Sequence, residues 1–168
     1  VSKSKKEIWE TESNPNEWVA RAISNFEIAK TATISETTKF EDLCYLCSRC
    51  VECSLKTVMI LKLGKYKHGH NLAELIKELE DNGVSLPQSI KDAALHEYSY
   101  EKSFFPFNFP FNFSAHSSLT DNSLKTRYPH KYPPITRKGY EQALNKSEIV
   151  LTWVTTEVEK QRPGISTL

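Results

Sequence analysis

The stretch Leu43–Leu79, LCYLCSRCVECSLKTVMILKLGKYKHGHNLAELIKEL, decides the fold. Its first part belongs to a segment of about Thr38 to Leu63 with no Pro or Gly, and Gly64 is a natural stop for a helix. A short basic link, Lys65 to His70, follows. Asn71 then stands where an N-cap is expected, and Leu72, Leu75, Ile76 and Leu79 repeat at the helical spacing of one apolar stripe. The reading is helix, link, helix.

Inside the first of these helices, Cys44, Cys47, Cys50 and Cys53 spell C-x2-C-x2-C-x2-C. Cluster and zinc motifs of similar spacing work as loops that wrap the metal, often followed by Pro. The flanks here are helix formers, and no Pro occurs between Pro15 and Pro87. On a helix each step of three residues falls short of a full turn by about 60°, so the four thiols fan across about 180° and do not converge on one ion. Cysteine is also small and often buried, which lets helices approach closely. The ladder reads as core, with no metal and no cofactor expected.

The same periodicity extends outward. Trp18, Ala22, Phe26 and Ala29 mark a helix from about Asn16 to Thr33, with Asn14 or Asn16 as its cap. Asp81-Asn82-Gly83 is a turn, and Pro87 opens a further helix through Ile90, Ala93, Ala94 and Leu95 to about Tyr100. The last helix starts from Thr136 and runs to about Gln161, with Tyr140, Ala143, Leu144, Val150, Leu151, Val154 and Val158 along its seam. Ser103 to Pro134 breaks the pattern with six Phe and five Pro, and Pro106 and Pro110 exclude a regular helix there. The expected fold is all-α, an up-and-down bundle of four to five helices with a long Phe/Pro-rich loop before the last one. Residues 1–13 read as a flexible tail, 14–162 as one domain with the loop insertion at about 101–134, and 163–168 as a second tail.

The 168 residues fit a single buried core, and the net charge of +1 gives no global attraction to nucleic acid or an acidic membrane. No apolar run approaches the roughly 18 residues that span a bilayer. The lysines of Val1–Glu10 are not followed by the apolar stretch of a signal peptide, and reduced, helix-bound thiols point to the cytoplasm.

With the helices placed, the quoted stretch resembles the central signature of HEPN domains. The matching features are small residues along the second helix, Glu52 followed four residues later by Lys56, the Gly64 stop, and the His70-Asn71-Leu72 start. Arg127-Tyr128-Pro129 ahead of a final amphipathic helix resembles the RYP-type branch, and Trp18 and Ala22 suit the family's first helix. The resemblance covers about Asn14 to Lys160. It implies a helical bundle, frequently a homodimer, that acts beside a minimal nucleotidyltransferase, binds nucleotides or, in some branches, cleaves RNA. Two departures stand out: Cys53 replaces a basic residue often found after the Glu, and the Phe-rich segment looks like an insertion. The nuclease branch also places an Arg and a His four to six residues apart, whereas Arg127 and His130 are three apart with Pro129 between them.

The candidate ligand-binding residues are Arg127, Tyr128, Lys131, Arg137, Glu52 and Lys56. Asn122 to Tyr140 is rich in Lys and Arg, holds no acidic residue, and leads into the start of the last helix, where backbone N–H groups favour an anion. Arg127 could fork onto a phosphate with Lys131 and Arg137 adding charge, or the segment is a solvated basic loop. Tyr128 is placed to stack on a base or to pack the loop down. Glu52 and Lys56 are either a helix-surface pair worth a few tenths of a kcal/mol or a polar contact facing a ligand cleft or dimer seam. Lys65 to His70 reads as a solvated linker, with His70 capping or packing against the next helix. Phe104, Phe105, Phe107, Phe109, Phe111 and Phe113 either cover the bundle or dock on a second subunit.

The leading expectation is a non-catalytic domain that binds a nucleotide or another phosphorylated ligand, a partner nucleotidyltransferase, or both, as a homodimer. The alternatives are an RNase toxin with a degenerate Arg127/His130 motif, as in toxin–antitoxin pairs, and a structural dimerisation module.

Overall fold

A computed structural model describes residues 9–11, 13–95, 97–99, 116–118 and 134–161. Five helices stand in that part of the chain: α1 (Pro15–Thr31), α2 (Phe40–Leu63), α3 (Leu72–Asp81), α4 (Gln88–Ala94) and α5 (Arg137–Lys160). The fold is an all-α bundle built around α2, which packs against α1, α3 and α5, while α5 also meets α1 and α4.

The caps fall where short polar side chains allow them. Asn14 accepts from Asn16 N–H at 2.9 Å, Asn71 from Ala73 N–H at 3.0 Å, and Thr136 from Gly139 N–H at 3.1 Å. Gly64 closes α2 at φ 68°, a left-handed conformation that favours glycine, and its N–H returns to Ile60 O at 2.9 Å.

An ordinary surface helix buries one stripe. In α2 every residue from Cys50 to Ile60 is buried. None of the four cysteines has exposed surface. They line the contact with the neighbouring helices, and Tyr140 reaches over the same region to donate its hydroxyl to Ala29 O at 2.7 Å while stacking on Phe40. Burial pushes the Cys47 thiol up to about 11 and the Cys50 and Cys53 thiols upward as well. These are inert packing thiols.

The expectation that α4 runs to about Tyr100 is corrected: it ends at Ala94, and Glu97–Ser99 forms strand β3. The stripe of Ile90, Ala93 and Ala94 would continue at positions 97 and 98, where Glu97 brings a charge and Tyr98 a strand-favouring aromatic. Strand β3 pairs antiparallel with β4 (His116–Ser118), which lies inside the segment read as loop. A second small ribbon joins β1 (Trp9–Glu10) to β2 (Tyr66–Lys67), so residues 9 and 10 of the expected tail are tied to the link between α2 and α3. Strands of two or three residues are too short to show alternation in the sequence. The Phe-rich residues 104–113 lie outside the described residues.

Candidate functional site

At about 100° per residue, Arg49, Glu52 and Lys56 fall within about 60° of one another on α2, opposite the arc of the cysteines. Of the two readings of Glu52 and Lys56, the helix-surface pair is excluded, because their side chains are 3 % and 4 % exposed. Helix α1 and the α2–α3 link close over them, and nothing in the spacing of two residues on one helix could announce that.

The Glu52 carboxylate is fully engaged. Lys56 Nζ donates to Oε1 at 2.8 Å and Arg49 Nη1 to Oε2 at 2.6 Å. His70 brings Nδ1 to 3.1 Å from Oε1 and 3.2 Å from Oε2. Burial opposes ionisation of Glu52, but the hydrogen bonds and charges of Lys56 and Arg49 outweigh it and hold the carboxyl below its ordinary value. An ionised carboxylate only accepts, so the imidazole nitrogen facing it is the one that carries hydrogen. Nε2 is therefore the free ring atom.

Lys56 is boxed in on its other sides by aromatic rings. Its ammonium lies 5.1 Å from the Trp18 centroid and 5.5 Å from that of Tyr66, and the two rings touch at 4.7 Å. The Trp18 indole N–H is committed to Ser13 Oγ at 2.7 Å. Lys56 thus faces inward and fixes Glu52. Arg49, at 24 % exposure, and His70, at 63 %, are the members that reach solvent.

His70 owes its place to the link. Tyr66–Lys67 is held by the ribbon with Trp9–Glu10, His68 meets Glu10 at 2.9 Å, and Lys67 Nζ reaches Glu78 of α3 at 2.9 Å. Gly69, at φ 140°, makes the turn between His68 and His70 in backbone territory that a side chain rarely enters. Asn71 caps α3 as expected, while His70, expected to cap or pack, lies against Glu52 instead. The link is thus a pinned element, where a solvated linker was expected.

Of the remaining site candidates, Arg137 is described and is not brought to this cluster. Arg137 is exposed, with its guanidinium 5.7 Å from the Phe40 ring at the start of α2. Twelve residues separate Phe40 from Glu52, roughly 18 Å of helix at 1.5 Å per residue. Arg127, Tyr128 and Lys131 lie outside the described residues. Sequence reasoning missed Arg49, and it named His70 without bringing it to Glu52. Arg49 could have been found from its i, i+3 spacing to Glu52, but His70 is brought in only by the folded link.

A separate cavity of about 480 Å³ opens between the end of α2, the α3–α4 turn and α5, lined among others by Lys62, Val84, Trp153 and Glu157. Among the described residues, no group of three or more His, Cys, Asp or Glu side chains is placed to hold a metal ion. No described helix is long and apolar enough to cross a membrane.

A family model described as the HEPN domain matches residues 15–160. The crystal structure of an archaeal HEPN homologue is similar at 20 % identity and a TM-score of 0.57, covering 88 % of this chain and 99 % of that one. The crystal structure of TT1696 from Thermus thermophilus is similar at 22 % identity and a TM-score of 0.60, covering 85 % of this chain and 97 % of that one. At these identities the likeness is one of fold. Among curated proteins, none matches this chain.

Proposed function

From the premise that this chain belongs to the HEPN domain family, we propose that it is a non-catalytic binding domain for a nucleotide or another phosphorylated ligand, with Arg49 and His70 as the receiving groups. The observation that carries this reading is the shared Glu52 carboxylate, which draws a guanidinium, an ammonium and an imidazole to one place and leaves two of them facing solvent. Only one N–H of the Arg49 fork is used by Glu52, so its other donors remain to grip an oxyanion. Glu52 and Lys56 are the frame that aims them. Arg127, Tyr128, Lys131 and Arg137 belong to the same reading as a second cationic contact along an extended ligand or partner. A homodimer and a partner nucleotidyltransferase complete the proposal, in line with the family.

Calorimetric titration of a panel of nucleotides into the intact protein tests it. Binding that falls by at least tenfold in Arg49→Ala, with the thermal transition retained, is the expected result. No heat from any nucleotide, or equal affinity in the variant, overturns the assignment of the site.

A further inference from the structure

The charges around Glu52 do not cancel. With a neutral imidazole, one carboxylate stands against Arg49 and Lys56, leaving a single positive charge; a proton on His70 makes it two. The surroundings add no compensating acid among the described residues. Arg21 of α1 lies near Cys53 and adds a further fixed positive charge, since burial keeps that thiol protonated and neutral. On the link, Glu10 is met by His68 and Glu78 by Lys67, while Lys65 lies over the Trp9 ring. The cluster is therefore cationic on its solvent side, where Arg49 and the His70 imidazole reach out.

Phosphates differ among themselves in charge. A phosphodiester carries one negative charge at neutral pH, whereas a terminal phosphomonoester approaches two, since its second ionisation lies near 6. Resting on the reading above, we propose that this site selects a terminal phosphomonoester over an internal phosphodiester, and that His70 takes up a proton at Nε2 when the ligand binds. Glu52 holds the ring through Nδ1, so the new N–H at Nε2 points away from the carboxylate and toward the incoming oxygen. The proton comes from solvent, and no covalent bond is made or broken. Arg49 takes the remaining oxygens of the same phosphate, because its guanidinium and the imidazole share Glu52 Oε2.

Adenosine 5′-monophosphate and its 3′,5′-cyclic counterpart share the base and the ribose carbons; the first carries a terminal monoester and the second a singly charged diester closed onto the 3′-oxygen, which makes them probes of this choice. Calorimetry over about pH 6 to 8.5, where imidazoles titrate, in two buffers of different ionisation enthalpy, reads affinity and proton uptake together. The expected result is at least tenfold tighter binding of the 5′-monophosphate, affinity that falls as pH rises, and a heat that depends on the buffer. His70→Gln, at an exposed position, keeps the fold and loses the buffer dependence and most of the discrimination. Equal affinity for the two probes, a buffer-independent heat, or unchanged discrimination in His70→Gln overturns this inference while leaving the binding reading intact. Binding of neither probe overturns both.

Discussion

The two buried faces of α2 are made from opposite materials. One carries Cys44, Cys47 and Cys50, small weakly polar side chains that let neighbouring helices approach. The other carries Arg49, Glu52 and Lys56, a charged set enclosed nearly as completely at its centre. The cysteine face needs only a close fit, so its energetics are those of volume. The ionic face must satisfy every member at once, since a buried carboxylate and ammonium are stable only while each has the other. Equal burial therefore hides unequal fragility.

The largest effect that separates the faces is loss of Glu52. In Glu52→Ala the Lys56 ammonium, 4 % exposed, loses its counter-ion, and the expected destabilisation is about 3–5 kcal/mol by denaturant titration at neutral pH. A loss under about 1 kcal/mol would show that the two faces behave alike. The double variant Glu52→Gln, Lys56→Met sharpens the point, because removing both charges should recover much of the stability lost in the single one.

On the cysteine face, Cys50→Leu inserts volume where no surface is exposed, and overpacking is expected to remove about 1–3 kcal/mol by the same titration. A neutral outcome there would mean that the helices have slack to part.

Acid should expose the same asymmetry as a slope. Glu52 is held below its ordinary value of 4.5, so just under that pH the unfolded chain binds more protons than the folded one. The contribution of Glu52 is present above about pH 4.5 and disappears as pH falls through its lower, folded value. Denaturant midpoints of the wild-type protein should drop over that window more steeply than those of Glu52→Gln; parallel curves would remove Glu52 as the cause. The smallest effect belongs to a pair outside both faces. Lys30 and Glu148 join α1 to α5 at 3.3 Å with both side chains half exposed, and Lys30→Ala should change stability by no more than about 0.5 kcal/mol.

Most of the helical frame could be read from the chain, because it is written locally. Asn14, Asn71, Thr136 and Gly64 each mark a helix end by their own chemistry, and the apolar spacings mark the inner faces. The site was legible only in part. Glu52 and Lys56 are visible as a pair four residues apart, but whether such a pair meets water depends on what folds over it. Trp18, Tyr66 and the β1–β2 ribbon do so from distant parts of the chain. His70 joins across eighteen residues and a glycine turn, a convergence that no helical period encodes. The end of α4 and the short strands were missed for the opposite reason: a segment of two or three residues carries no periodic signal at all.

The burial of α2 on every side from Cys50 to Ile60 also limits how this protein can change over generations. A substitution alters one position, whereas inserting or deleting a single residue between Cys44 and Glu52 turns everything beyond it by about 100° against what came before. Such a change would carry the carboxylate into the arc now filled by thiols while every individual amino acid stayed the same. Length drift is thus the event this helix tolerates least, and the two short connectors at its ends, residues 32–39 and 64–71, are where gaps among relatives should gather.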